Sequence, residues 1–224
     1  IINTGTLRSP FFLILVIGTM NFPTYAVSTE LDAVNQILSS VGQAPVTTLD
    51  LQNPEVSIVL NTLREVNRQI QSEGWIFNTE VDYEMVPDST TNEIAYPYNV
   101  LQMDANVEHH KNDYDIIRRN GKLYDRLHHT FEFTENIHVD LTWYFDFIDV
   151  PPAIQTYIVA RAARMCATKL IGDQEINKLL AEQEINTRAA AIEYECNQGD
   201  YSMFGFKNGH NYYTSYQPFQ ALMR

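Results

Sequence analysis

The chain is predicted to fold as an α+β protein: a four-helix unit, a mostly antiparallel β-rich insertion within it, and an extended C-terminal arm. Three observations carry this. Apolar residues recur at spacings of three and four across residues 29–74 and 152–198, the signature of helices with one buried face. Between them, across 75–150, the period falls to two, as in strands. Residues 199–224 are rich in aromatics and follow neither period. The expected division is a helical bundle from 20–74 and 152–198, an insertion at 75–150, a docking arm at 199–224, and a non-native or upstream segment at 1–19.

In chain order, Ser28 or Thr29 caps a first helix with Leu31, Val34, Leu38 and Val41 on one face, and Gly42 stops it. Gln43, Ala44 and Pro45 make an extended turn. Asn53 and Pro54 are the next start signal, a cap followed by proline at the first helical position. Val56, Leu60, Leu63, Asn67 and Ile70 continue at helical spacing, Val59 and Val66 widen the stripe, and Gly74 ends it.

The period changes at Trp75. Trp75, Phe77, Val81, Tyr83 and Met85 alternate with polar residues, which predicts a half-buried strand. Residues 87–92 are turn material. Asn120 followed by Gly121 suits a type I′ hairpin, whose two central residues need positive φ. A second long strand is predicted from Ile137, Val139, Leu141, Trp143, Phe145 and Phe147, with His138, Asp140, Thr142, Tyr144 and Asp146 on its other face. One small antiparallel sheet with a wet face is expected.

Pro151 and Pro152 restart helix. Ile154, Tyr157, Ile158, Arg161, Met165 and Thr168 mark its stripe, and Ala160, Ala162, Ala163 and Ala167 imply either close helix packing or a tight subunit contact. Gly172 and Asp173 break and recap. Ile176, Leu179, Leu180, Gln183, Thr187, Ala190 and Tyr194 carry the last helix to Gly199.

The 224 residues carry a formal net charge of −13. Most of it lies in the insertion, where 15 Asp plus Glu face 5 Lys plus Arg. No basic run exists, which argues against a surface built to hold nucleic acid. The two cysteines, Cys166 and Cys196, lack CxxC spacing and read as reduced thiols in helices.

No catalytic, cofactor or metal site is read from the residues. His109 and His110, and His128 and His129, are adjacent pairs whose side chains diverge. A zinc set of His128, His138 and Asp140 is weaker than a reading as loop and surface histidines. Glu132 with Glu135, or Asp146 with Asp149, are the carboxylate pairs a glycan hydrolase would need, against a solvated acidic face. HExxH, GxSxG and P-loop motifs are absent. In the arm, Tyr201, Phe204, Phe206, Tyr212, Tyr213, Tyr216 and Phe219 are the candidate protein-interaction residues, because a disordered tail is ordinarily poor in aromatics.

At the other end, residues 11–17 are an apolar run too short to span a bilayer. With Arg8 before it and Ala26 after it, the run is similar to a signal peptide, and an exported binding protein follows from that reading. The competing reading makes Met20 the initiator.

The stretch DVPPAIQTYIVARAAR at 149–164, continuing to GDQE at 172–175, resembles the signature helix of the tail tubular protein A family, the head-to-tail adaptors of T7-like podoviruses. LDAVNQILSSVGQAP at 31–45, GWIFN at 74–78 and RNGKLYD at 119–125 extend the resemblance in the same order. It begins close to Met20 and covers nearly everything to Cys196. The resemblance implies a virion tail protein, assembled in the bacterial host cytoplasm, with no enzymatic role. It further implies a dodecameric ring that binds the portal above and the tubular nozzle below, with tail fibres nearby. Double-stranded DNA would pass through on ejection without specific binding. An acidic wall suits that passage, because it repels the duplex.

Overall fold

The computed structural model describes residues 29–110 and 113–199. Met20, the apolar run, Ala26 and every aromatic named in the arm lie outside the described residues.

The helical elements begin and end where their caps dictate. α1 (Glu30–Ser40) opens on a capping box: Thr29 Oγ1 accepts from Asp32 N at 3.1 Å, and Thr29 N donates back to Asp32 Oδ2 at 3.2 Å. Asn35 then clamps the following turn, bonding both the carbonyl and the N–H of Val46. α2 (Pro54–Gln71) starts from Asn53, whose Oδ1 accepts from Glu55 N at 3.0 Å. It ends at Gly74, where φ is +76° and a Cβ would be strained.

The strand-rich part differs from the expectation in four ways. Residues 75–78 are not strand. Trp75 is buried in the helical core, Ile76–Asn78 is a 3-10 turn, and β1 runs only over Thr79–Met85. The reason is polar. Asn78 Nδ2 donates to the carbonyls of Gln71 and Trp143, and its Oδ1 accepts from Trp75 N, which curls the chain against the end of α2. Nor is β1 half-buried: of its residues only Met85 is buried, while Val81 and Tyr83 are exposed.

There are also two sheets rather than one. β2 (Val100–Ala105) and β1 flank the central strand β5 (Ile137–Trp143), both antiparallel to it. The short helix α3 (Val107–His110) follows β2. β3 (Ile116–Arg119) and β4 (Lys122–Asp125) form a separate hairpin. Its turn residues Asn120 and Gly121 have φ of +54° and +72°, the type I′ geometry the dipeptide predicts. β5 stops at Trp143, short of the predicted 147. Ile137, Val139 and Leu141 face a cluster with Ile94, Leu123 and Phe133, whereas Phe147, in the 3-10 turn Phe147–Asp149, joins the helical cluster. One alternating run thus serves two cores.

A buried amide relay joins them. Gln71 Nε2 donates to Asn67 Oδ1 and to the carbonyl of Phe145, and Gln71 Oε1 accepts from Phe145 N, each at 2.8 Å. Asn67 sits on the apolar stripe of α2, and this bond explains why a polar residue is tolerated there.

α4 (Pro152–Leu170) is the centre of the helical core, packing on α1, α2 and α5. Ala160, Ala162, Ala163 and Ala167 are buried within the chain. That decides for close helix packing: these alanines are covered by the chain's own helices and are not free for a neighbouring subunit. α5 (Gln174–Gln198) follows after Gly172, at φ +73°, and the cap Asp173, whose Oδ1 accepts from Glu175 N. Cys166 is buried and Cys196 exposed, both as free thiols; burial pushes the Cys166 thiol up.

Candidate functional site

α5 is seated on a polar seam. Of the predicted stripe only Leu180 is buried, and Ala191, outside that stripe, is the other buried residue. Leu179, Gln183 and Ala190 point to solvent. The true seat is Ile176, Leu180, Glu184, Thr187 and Ala191, at spacings of four, four, three and four. Glu184 concealed it, because a carboxylate reads as a surface residue. Here Arg164 Nη1 donates to Glu184 Oε2 at 2.8 Å, so the charge is paired on the contact line. Arg188 completes the seam. Its Nη1 donates to the hydroxyl of the fully buried Tyr157 at 2.9 Å, and its Nη2 reaches Glu73 at 3.3 Å. Nearby, Arg161, Arg164 and Lys169 line a cleft of about 410 Å³, but all three cations are engaged within the chain.

The opposite side of α5 has no such partners among the described residues. Leu179 is 67% exposed, Ile185 68% and Ile192 45%. A helix within a protein gains most of its stability from packing, and this one leaves Leu179, Ile185 and Ile192 exposed while Ile176 and Leu180 pack on the core.

The second constellation is at the sheet edge. A bulge in β1 between Glu80 and Tyr83 lifts Asp82 out of register with φ +63°. Its Oδ1 lies 2.8 Å from His138 Nδ1 on β5 and 3.1 Å from His109 Nε2 on α3. The two imidazoles stack with centroids 4.1 Å apart and planes within 10°. Asp140 Oδ1 holds the frame, accepting from Asp82 N at 3.0 Å and Asn106 Nδ2 at 2.8 Å. Beneath lies His110, buried, whose Nε2 accepts from His138 N at 2.8 Å. Burial pushes the His110 imidazole down, and its acceptor role requires it neutral. The adjacent histidines 109 and 110 do diverge, one to the surface and one inward.

The zinc set weighed against a surface reading, His128 with His138 and Asp140, is not assembled. His128 is bonded to the buried Asp125 instead, and Tyr114 and His110 stand between it and His138, in ring contact from one to the next. Asp125 also accepts from Leu127 N and Asp115 N. Burial alone would raise its carboxyl, but the bond from His128 and those two N–H groups outweigh it, and the acid sits below its usual range. Sequence reasoning missed the Asp82 cluster because its members come from three separate segments. The carboxylate pairs are solvated: Glu132, Glu135, Asp146 and Asp149 are all exposed, and Glu135 accepts from Tyr114 Oη at 2.9 Å.

A dense helical core, an acidic strand-rich region and a long helix whose outer aliphatics are exposed among the described residues suit a protein that assembles with others. Residues 31–201 match the tail tubular protein family, and the chain belongs to it. It is a structural component of a phage tail. The chain is similar to tail tubular protein A of Klebsiella phage KP34, with 29% identity over 123 residues. The match covers 54% of this chain and 62% of that relative's length. Among the described residues no helix is long and apolar enough to cross a membrane.

Proposed function

We propose that the chain is the head-to-tail adaptor: twelve copies close into a ring that joins the portal to the tail nozzle and lines part of the DNA channel. Its role is structural rather than enzymatic and needs no cofactor, and the ring assembles in the host cytoplasm. The observation that carries this reading is the face of α5 left exposed among the described residues, on a chain of the tail tubular family. A heterologous ring needs one patch on each subunit to meet a different patch on the next. The proposed occupant of the α5 face is therefore a second copy of this chain. The net charge of −13 supports the channel role, because an acidic wall lets the duplex slide. Free subunits should accordingly bind duplex DNA weakly at moderate salt.

Tyr201, Phe204, Phe206, Tyr212, Tyr213, Tyr216 and Phe219 are proposed to dock on the portal, with large rigid rings as anchors. The division into a helical bundle, a strand-rich insertion and this arm is part of the same proposal. The test is imaging of purified particles with the chain tagged, together with portal capture by protein truncated after residue 199. A closed ring at the head–tail junction and weakened capture are expected. A tag elsewhere in the particle overturns the adaptor reading, and unchanged capture removes the arm from the portal.

A further inference from the structure

We propose that Asp82, His109 and His138 form a binding site for one divalent transition-metal ion of the zinc class, tying α3 and β1 to the central strand β5. One ligand atom from each residue lies within 4.8 Å of the other two. Asp82 Oδ1 stands 2.8 and 3.1 Å from the two ring nitrogens. Ligand atoms around a tetrahedral zinc with bonds of about 2.0–2.1 Å are themselves about 3.3 Å apart. Both separations from Asp82 Oδ1 already sit close to that spacing, and the two stacked imidazoles must tilt apart to aim their in-plane lone pairs at one ion. On binding, the nitrogen of each imidazole that faces the metal releases any proton it carries and ligates through its lone pair.

The donor chemistry selects the ion. Two imidazoles and one carboxylate suit zinc, nickel or copper, whereas calcium and magnesium prefer all-oxygen shells. The backbone is prepared for this. Asp82 is held at positive φ on a bulge, with its N–H tied to Asp140, and His138 N is tied to the buried His110. Such supporting bonds fix ligand orientation before the ion arrives. The side chains of Asp82 and His109 are each 47% exposed, so the ion can enter from solvent. Three protein donors leave a fourth position for water or for a donor from a neighbouring chain.

The experiment uses the full chain, stripped with chelator and titrated with zinc against a chromophoric competitor, then with cobalt to read the visible bands of a nitrogen- and oxygen-ligated tetrahedral site. One ion per chain and a zinc-dependent rise in Tm are expected. His109→Ala removes a half-exposed ring and should weaken zinc binding roughly tenfold or more, and Asp82→Asn should do likewise. His128→Ala, outside the cluster, should bind as the unmodified chain does. No binding by the folded chain, or one-to-one binding that survives both His109→Ala and Asp82→Asn, overturns the site.

Discussion

α4 and α5 follow one another directly, and they are held in opposite ways. α4 has 19 residues, ten of them buried; α5 has 25, two of them buried. α4 is enclosed by three helices and anchored by Tyr157, Ile158, Cys166 and the alanines. α5 lies on α4 along the mixed line Ile176, Leu180, Glu184, Thr187 and Ala191, bonded through Arg164–Glu184 and Arg188–Tyr157. Side chains as exposed as Arg164 and Arg188 gain little from ion pairing, typically about 0–1 kcal/mol per pair. The difference teaches that α4 is enclosed by the chain's own helices, while α5 leaves most of its surface exposed among the described residues.

The contrast breaks most severely at Tyr157. Its ring is fully buried and its hydroxyl accepts from both Arg161 and Arg188. Tyr157→Ala should cost about 3–5 kcal/mol, read as a lower urea midpoint. A loss below about 1 kcal/mol would mean that α4 is not the anchor. Ala162→Leu probes the same enclosure from the other direction. Ala162 has no exposed surface, so the added carbons must displace a neighbouring helix, and a cost of about 1–3 kcal/mol is expected.

Replacing both Ile185 and Ile192 on α5 by Ser should change the stability of the free subunit by no more than about 0.5 kcal/mol each. The same change should reduce ring assembly, measured by sedimentation. Full assembly by the double variant would assign the subunit contact to another surface.

Acid sharpens the comparison between apolar and polar anchoring. Asp125 is buried at the end of β4 with its carboxyl held below the usual range. A lowered folded-state value contributes stability above the unfolded value of about 3.9, and that contribution is lost as pH falls through the folded value. Amide exchange across 113–130 should therefore accelerate below about pH 4, while the apolar seat of α4 keeps its protection. Asp125→Asn should remove most of that pH dependence. Equal acid sensitivity in both regions would show that the hairpin is not held by Asp125.

Much of the fold was legible in local chemistry. Thr29, Asn53 and Asp173 are the caps, and Asn120 with Gly121 makes the hairpin turn. These are interactions between residues a few positions apart, and residue type alone specifies them. The same locality explains why spacing gives the stripe of α2 in full and Val34, Leu38 and the cap Val41 of α1, where the fully buried Ala33 and Ile37 lie beside the expected stripe. It failed for β1, whose alternation suggested a covered face. Among the described residues this edge strand with a bulge pairs with β5 alone, and Val81 and Tyr83 stay exposed, Tyr83 touching only the edge of Trp143 among ring contacts.

What the sequence by itself determined is where the four long helices begin, the turn of the β3–β4 hairpin, the α+β class, the acidity of residues 75–150 and, through motifs in order, the tail tubular resemblance. What only the tertiary structure decided is which faces meet. Glu184 is a seat residue because Arg164 arrives from α4, and Asn67 is a core residue because Gln71 arrives from the next turn carrying Phe145 with it. Asp82, His109 and His138 become neighbours only when β1 pairs with β5 and α3 folds over both. Periodicity records the preference of one segment for water or oil. Burial, pairing and ligand geometry depend on partners far away in the chain, and those are set when the elements pack.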